Sequence, residues 1–375
     1  MEGAAAMSAP DLLYSEVEDD LRAGVRRLLR DRCDWTSVLA RCESDQPYDL
    51  ELWRTLAGGL GLAALLVPEE LGGAGASARE LGVVAEELGR AVAPVPFLGN
   101  LLATTALTGC ADAEGVRELL PRLSDGSLVG TVAVPLTTAP HAPFPSAVKA
   151  EGATLTGTVT SVVDLEVADR VLVPATDEDG PALYLVDTSA AGVTTTPATP
   201  LDLTRRIGTL DLSAVAAQRV GGDAARVLRR ALTVAAGTLA SEQTGLAQLC
   251  LDSTVEYALT RYQFGRQIGS FQAVKHRLAD LWSGVSTARA AARGAADALT
   301  GSGEETELAV AVAQAYCSDL VVLAAEEALQ LHGGIGMTWE HPVHLYLGRA
   351  KSSQLAFGIA ERHRARIAEL VGLES

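Results

Sequence analysis

The chain reads as an α+β protein with a helical N-terminal domain (1–125), a small central β-domain (126–221) and a C-terminal bundle of long helices (222–375). Three observations predict that order. YSEVEDDLRAGVRRLLR, starting at Tyr14, repeats apolar positions every three to four residues, the period of a helix with one buried face. Between 126 and 220 the composition turns to short Val-, Thr- and Leu-rich runs separated by Gly, Pro and Asp, the pattern of strands punctuated by turns. From Gly222 onward Ala-rich segments take over. No proline occurs between Pro200 and Pro342, which suits long uninterrupted helices.

Taken in order, the Gly72-Gly73 pair after Pro68-Glu69-Glu70-Leu71 marks a loop. ARELGVVAEELGRAVA then resumes helical periodicity until Pro94 and Pro96 break it. Gly59-Leu60-Gly61-Leu62-Ala63-Ala64 has the spacing of a dinucleotide fingerprint. It follows a helical segment, Glu51–Ala57, and no βαβ unit surrounds it, so it reads as a turn between packed helices. The runs LVGTVAVP, ATLTGTVTSVV, DRVLVPA, ALYLVD and GVTTTP supply the strands of a barrel-like sandwich. The stretch from Ala224 to Tyr262 is one long helix or two, and no internal repeat is visible.

At 375 residues the chain can bury a substantial core, and no run of 18 uncharged apolar residues reads as membrane-spanning. MEGAAAMSAP lacks a basic leader segment, so a secretory signal is not expected. The five cysteines are scattered and never paired as Cys-x-x-Cys, which points to reduced thiols and a cytoplasmic setting. A net charge of −17 argues against a nucleic-acid partner. It leaves room for a small anionic ligand, because Arg261, Arg266, Lys275, His276 and Arg277 form a basic island. His341 and His344 are three apart, but Pro342 between them argues against one helical face, and no metal site is read.

YALTRYQFGRQIGSFQAVKHRLADL (from Tyr257) and QLHGGIGMTWEHPVHLYLGRAK (from Gln330) resemble the flavin-binding half of the acyl-CoA dehydrogenase family. With the helix–β–helix order and the loop at Pro68–Gly73, the resemblance covers nearly the whole chain, most weakly in the β-domain. It implies FAD as cofactor and α,β-desaturation of an acyl-CoA thioester, with a carboxylate taking the α-proton and the flavin taking the β-hydride. It also implies a cofactor shared between subunits. Arg261 would reach the pyrophosphate of a neighbour's FAD, with Gln263 beside it in the motif. Phe264 would pack near the adenine and Gln272 make a polar contact. Gln330, Gly333 and Gly334 would let the backbone approach the dinucleotide.

The same resemblance places the catalytic base on Phe357, followed by Gly358, where no proton can be accepted. A second family position for the base, on the long helix, falls on Ala235. Glu242 is the nearest acid there, on the same face but about 10 Å along the axis. Glu361 lies one turn beyond Phe357 if that helix is continuous. The acidic and glycine positions of the family's flavin loop are absent from Thr131–Pro140, although Thr137 or Thr138 could offer a hydroxyl. Thr160-Ser161-Val162-Val163 lacks the flavin-facing aromatic.

The leading expectation is therefore a subunit that completes a homologous partner's FAD site, as in heteromeric (α2β2) actinobacterial enzymes acting on steroid side chains. Electron-transferring flavoprotein or oxygen would be the electron acceptor. Three other readings compete: a self-sufficient dehydrogenase with Glu242 or Glu361 as base, a flavin-free structural homologue, and a member diverted to carrier-bound acyl groups.

Overall fold

The computed structural model describes residues 12–373, so the MEGAAAMSAP stretch lies outside the described residues. Helix α1 (Glu16–Arg32) starts at Ser15, whose side chain caps it while Glu18 returns a bond to the Ser15 backbone. Asp34 caps α2 (Trp35–Cys42) and Asp49 caps α3 (Leu50–Arg54). A wider helical turn at Thr55–Gly59 and a tight one at Leu62–Ala64 follow, with Gly61 left-handed (φ 69°) between them. The glycine-rich stretch is thus a turn between helices, as its setting predicts. A second Ser/Glu capping box, Ser77 with Glu80, opens α4 (Ala78–Ala91), followed by α5 (Phe97–Thr108) and α6 (Val116–Ser124).

The β region holds β1 (Gly130–Val132), β2 (Val148–Glu151), β3 (Thr154–Val163), β4 (Arg170–Asp177), β5 (Gly180–Asp187), β6 (Val193–Pro197), β7 (Ile207–Ala216) and β8 (Gln218–Val220). They form one sheet in the order β6-β7-β3-β2-β4-β5-β8, with β1 pairing parallel to β4. The sequence runs above omit β2, β7 and β8. The long β7 alternates inward and outward along Ile207–Leu212, a strand signal hidden by the charged Asp211.

The C-terminal region is α7 (Ala224–Thr260), a β9–β10 hairpin (Tyr262–Gln263 and Arg266–Gln267), α8 (Gln272–Ala298), α9 (Glu304–His332), α10 (Val343–Leu355) and α11 (Ala360–Leu370). The Ala-rich stretch is a single helix of 37 residues. By length and composition Glu304–Met337 could cross a membrane, but most of its apolar window is buried, and α9 packs on α7, α8, α10 and α11. One apolar core runs through both helical regions and reaches the sheet at Val163, Leu172 and Leu183. A second fills the β region around Val148, Leu155 and Val173.

Helices α4 and α7 touch backbone to backbone. A Cβ on Gly89 would sit 2.1 Å from the Glu242 carbonyl oxygen, and one on Gly245 only 1.8 Å from that of Glu86. Glycine is required at both positions because any side chain would drive the helices apart.

Candidate functional site

Where α7 ends, Arg261 turns extended and the chain folds into the β9–β10 hairpin through Phe264 (φ 53°) and Gly265 (φ 77°). Phe264 is 91% exposed, meeting only the edge of Phe271 at 6.2 Å, while the Arg266 guanidinium lies 3.9 Å over the Phe271 ring. Helix α9 ends on Gly333 (φ 63°), and nothing lies within 4 Å of where a Cβ would stand on Gly333 or Gly334. The two loops are riveted together by rings. Tyr257, one turn before Arg261, stacks on His332 at 4.5 Å, and His332 meets His341 at 4.2 Å.

Burial holds the buried His332 below the ordinary imidazole pKa, although its Nδ1 lies 2.7 Å from the Ala328 carbonyl. Burial and the neighbouring His332 and His344 push His341 down to about 4. The rivet is therefore neutral at pH 7. Around it, Arg261, Gln263, Phe264, Gln272, Gln330, Gly333 and Gly334 are all exposed. Arg261 forms no ion pair among the described residues. This edge offers a free guanidinium, an uncovered ring and open glycine backbone, a donor set that fits the phosphates and rings of a dinucleotide.

The positions where a base would stand differ. Phe357 is fully buried with φ 56°, and its N–H donates to the Leu136 carbonyl at 2.7 Å. Leu136 N–H donates in turn to the Ser161 carbonyl at 2.9 Å. The segment after β1, the irregular part of β3 and the α10–α11 turn are thus tied together around a phenyl ring. His363 Nε2, 3.0 Å from the Phe357 carbonyl, closes the turn from the other side. Ala235 is also fully buried. The expectation for Glu361 needs correction on geometry. Helix α10 stops at Leu355 and α11 starts at Ala360, so Glu361 is not one turn along a continuous helix. Its side chain is 71% exposed and 3.7 Å from Arg364.

Glu242 sits in a sealed ionic cluster. Its carboxylate accepts from Arg205 Nη2 through both oxygens, at 2.6 Å to Oε2, and from Arg349 Nε at 2.9 Å. Arg349 Nη1 donates to Thr204 Oγ1 at 2.9 Å and approaches Asp202 at 3.7 Å, and Arg205 Nη1 donates to Ser353 Oγ at 3.0 Å. Burial alone would raise the Glu242 pKa, but the two guanidiniums outweigh it and hold the carboxyl below its ordinary value. A carboxylate so buried and so paired is a weak base for a substrate proton.

No sequence signal joined Arg205, in the link between β6 and β7, to Glu242 on α7. Asp164 was also missed. Left-handed at φ 56° and buried, it accepts from Tyr48 Oη (2.9 Å) and Gly99 N–H (2.8 Å), pinning the β region to the N-terminal helices. Burial raises its pKa to about 6 against those bonds.

The family description "Acyl-CoA dehydrogenase, N-terminal domain" matches residues 15–127, and "Acyl-CoA dehydrogenase, C-terminal domain" matches 222–372. Acyl-CoA dehydrogenase IpdE2 of Mycolicibacterium smegmatis is 36% identical over 344 residues, covering 92% of this chain and 95% of its own. Acyl-CoA dehydrogenase FadE27 of Mycobacterium tuberculosis is 35% identical, covering 95% and 97%. Among solved structures, the ChsE4-ChsE5 complex from Mycobacterium tuberculosis matches with TM-score 0.86 and 32% identity over 98% of this chain and 100% of that one. A variant of the Tcur3481-Tcur3483 steroid ACAD matches with TM-score 0.85 and 34% identity over 95% and 98%.

Proposed function

Because the chain belongs to the acyl-CoA dehydrogenase family, we propose that it is the base-lacking subunit of a heteromeric enzyme, completing the FAD site of a homologous partner. The enzyme desaturates an acyl-CoA thioester, and its likeness to a steroid ACAD supports a steroid-derived acyl group as the substrate class. Bound FAD supplies the acceptor for the β-hydrogen. This chain's part is to hold the far end of the dinucleotide: Arg261 neutralises phosphate charge, Phe264 covers the adenine, and the bare backbone of Gly333 and Gly334 lets the cofactor approach.

One observation carries the reading. Phe357 fills the expected base position with a buried ring whose backbone is bonded to Leu136, while the cofactor edge stays exposed. The α-proton then needs a carboxylate from the partner. Glu242, held by two arginines, supports a structural role rather than that of a relocated base. The same division of roles fits a cytoplasmic heterotetramer that passes electrons to an electron-transferring flavoprotein.

The test is a visible spectrum of the chain purified alone and after co-expression with a homologue that carries the glutamate. The mixed complex should be yellow, with flavin at half occupancy per chain, and the chain alone colourless. Arg261→Gln should weaken flavin retention by about 10- to 100-fold, the equivalent of losing charge-assisted bonds of about 1.5–3 kcal/mol. Stoichiometric flavin and turnover in the chain alone would overturn the proposal.

A further inference from the structure

We propose a second ligand site, a groove for an amphipathic organic anion, between α7 and the α8–α9 loop. Two clefts of about 470 Å³ and 630 Å³ meet there, sharing Arg230 and Thr300. The first has apolar walls from Leu66, Val67, Ala76, Val234 and Leu299. The second carries Arg226, Arg229 and Arg230 beside the Thr300–Gly303 turn. Each cleft has the volume of a small-molecule site.

Charge identifies one end of the ligand. The chain carries −17, yet the charged side chains of this groove are those arginines and Glu307, whose carboxylate Arg366 already holds at 2.6 Å. Arg230 is partly buried and gives its guanidinium to the carbonyl oxygens of Leu299 (2.6 Å) and Gly301 (3.0 Å). It thereby caps the C-terminal end of α8 and meets no carboxylate among the described residues, and burial lowers its pKa. Arg226 and Arg229 are exposed, and neither forms an ion pair among the described residues. Guanidiniums a turn apart, with no counter-charge, suit the oxygens of a carboxylate or phosphate.

The other end is set by the first cleft, whose aliphatic wall faces hydroxyls of Thr104, Thr105 and Thr108, and where the Thr105 hydroxyl is buried without a hydrogen-bond partner among the described residues. A buried hydroxyl left open is costly unless something visits it. A chain or ring body with one polar atom satisfies both the walls and that hydroxyl. The ligand class is therefore a hydrocarbon ending in a carboxylate or phosphate. This site is independent of the proposed heteromeric function, since it shares no residue with the cofactor edge or with the surroundings of Phe357.

Titration calorimetry on the full chain tests it with octyl phosphate, octanoate, inorganic phosphate and octanol. One of the two amphiphiles should bind about tenfold or more tighter than phosphate or octanol, and the tighter of the two identifies the head group. Arg226→Gln should weaken that binding about tenfold and Thr105→Val several-fold, neither with a lowered melting temperature. Arg261→Gln should leave it unaltered. If neither amphiphile outbinds its fragments, or Arg226→Gln binds like the parent, the groove is an ordinary solvated helix face and the proposal fails.

Discussion

Glu242→Gln removes one negative charge from a cluster whose ionic side chains are only 2–5% exposed. In the parent, Arg205 and Arg349 are balanced by Glu242 and Asp202. In the variant the two guanidiniums face Asp202 alone, and the new amide nitrogen points a donor at a donor. Breaking a buried pair by removing one partner costs about 3–5 kcal/mol, a large part of a typical total of about 5–15. With a urea slope of about 3 kcal/mol/M, that is a midpoint drop of about 1–1.7 M. Glu242 is held below its ordinary pKa. The stability it supplies is therefore complete above its unfolded value of about 4.3 and is lost as pH falls through the folded value. The gap between parent and variant should stay constant from pH 6 to 8 (roughly neutral conditions) and close only in acid. Urea unfolding followed by circular dichroism reads it. The paired replacement Arg205→Met with Glu242→Leu should recover much of the loss, because well-packed apolar groups match buried ion pairs. Turnover per folded heteromeric complex should not change with Glu242→Gln. A variant as stable as the parent whose complex has lost turnover would refute this reasoning and return Glu242 to the role of base.

Three further outcomes follow from the same geometry. Phe357→Glu should not create a dehydrogenase: it removes a buried ring worth about 3–5 kcal/mol and buries a carboxylate, so the melting temperature should fall while turnover of the mixed complex does not rise. A folded variant with raised turnover would show that the pocket is open. Gly245→Ala should cost about 1–3 kcal/mol or more, read as a lower melting temperature, because the added methyl meets the Glu86 carbonyl at 1.8 Å. Asp164 has its pKa raised by burial to about 6, so the stability tied to its proton is present below about pH 4 and lost as pH rises through 6. Asp164→Asn should therefore flatten the fall in urea midpoint between about pH 4 and 7. A variant with the parent's slope would dismiss Asp164 as its source.

The helix–β–helix order was legible because periodicity is a local property. Ser15 with Glu18 and Ser77 with Glu80 mark helix starts within four residues of sequence. The cofactor motif at Arg261–Gly265 and the Gly333-Gly334 loop were legible for a related reason. Each is a short motif, and the stacking of Tyr257 on His332 brings the two together. The fate of Glu242 was not legible. Its partners Arg205 and Arg349 lie 37 and 107 residues away, and neither pairing leaves a mark in composition or spacing. A helix-face argument put Glu242 on the face of Ala235 but could not say that two guanidiniums had already claimed it. Glu361 failed on one local detail, the left-handed turn at Phe357 and Gly358 that separates α10 from α11.

The two halves of the site differ in a way that stability alone does not account for. Phe357, Ala235 and Glu242 are buried and fully engaged, so each has a role inside this chain. Phe264, Met337 and Trp339 are 91, 77 and 67% exposed on the two riveted loops, and Arg261, on the first of them, forms no ion pair among the described residues. Large exposed apolar side chains cost solubility and gain nothing in a lone chain, whereas a covering subunit with a dinucleotide between makes use of all of them. Truncating Phe264 to Ala separates these cases. In a lone chain it should leave the melting temperature unchanged or slightly raised, whereas in the mixed complex it should lower both flavin retention and assembly. Equal effects in the two settings would mean that the ring serves this chain's own fold after all, and the argument for a partner would then rest on Phe357 and the remainder of the exposed edge.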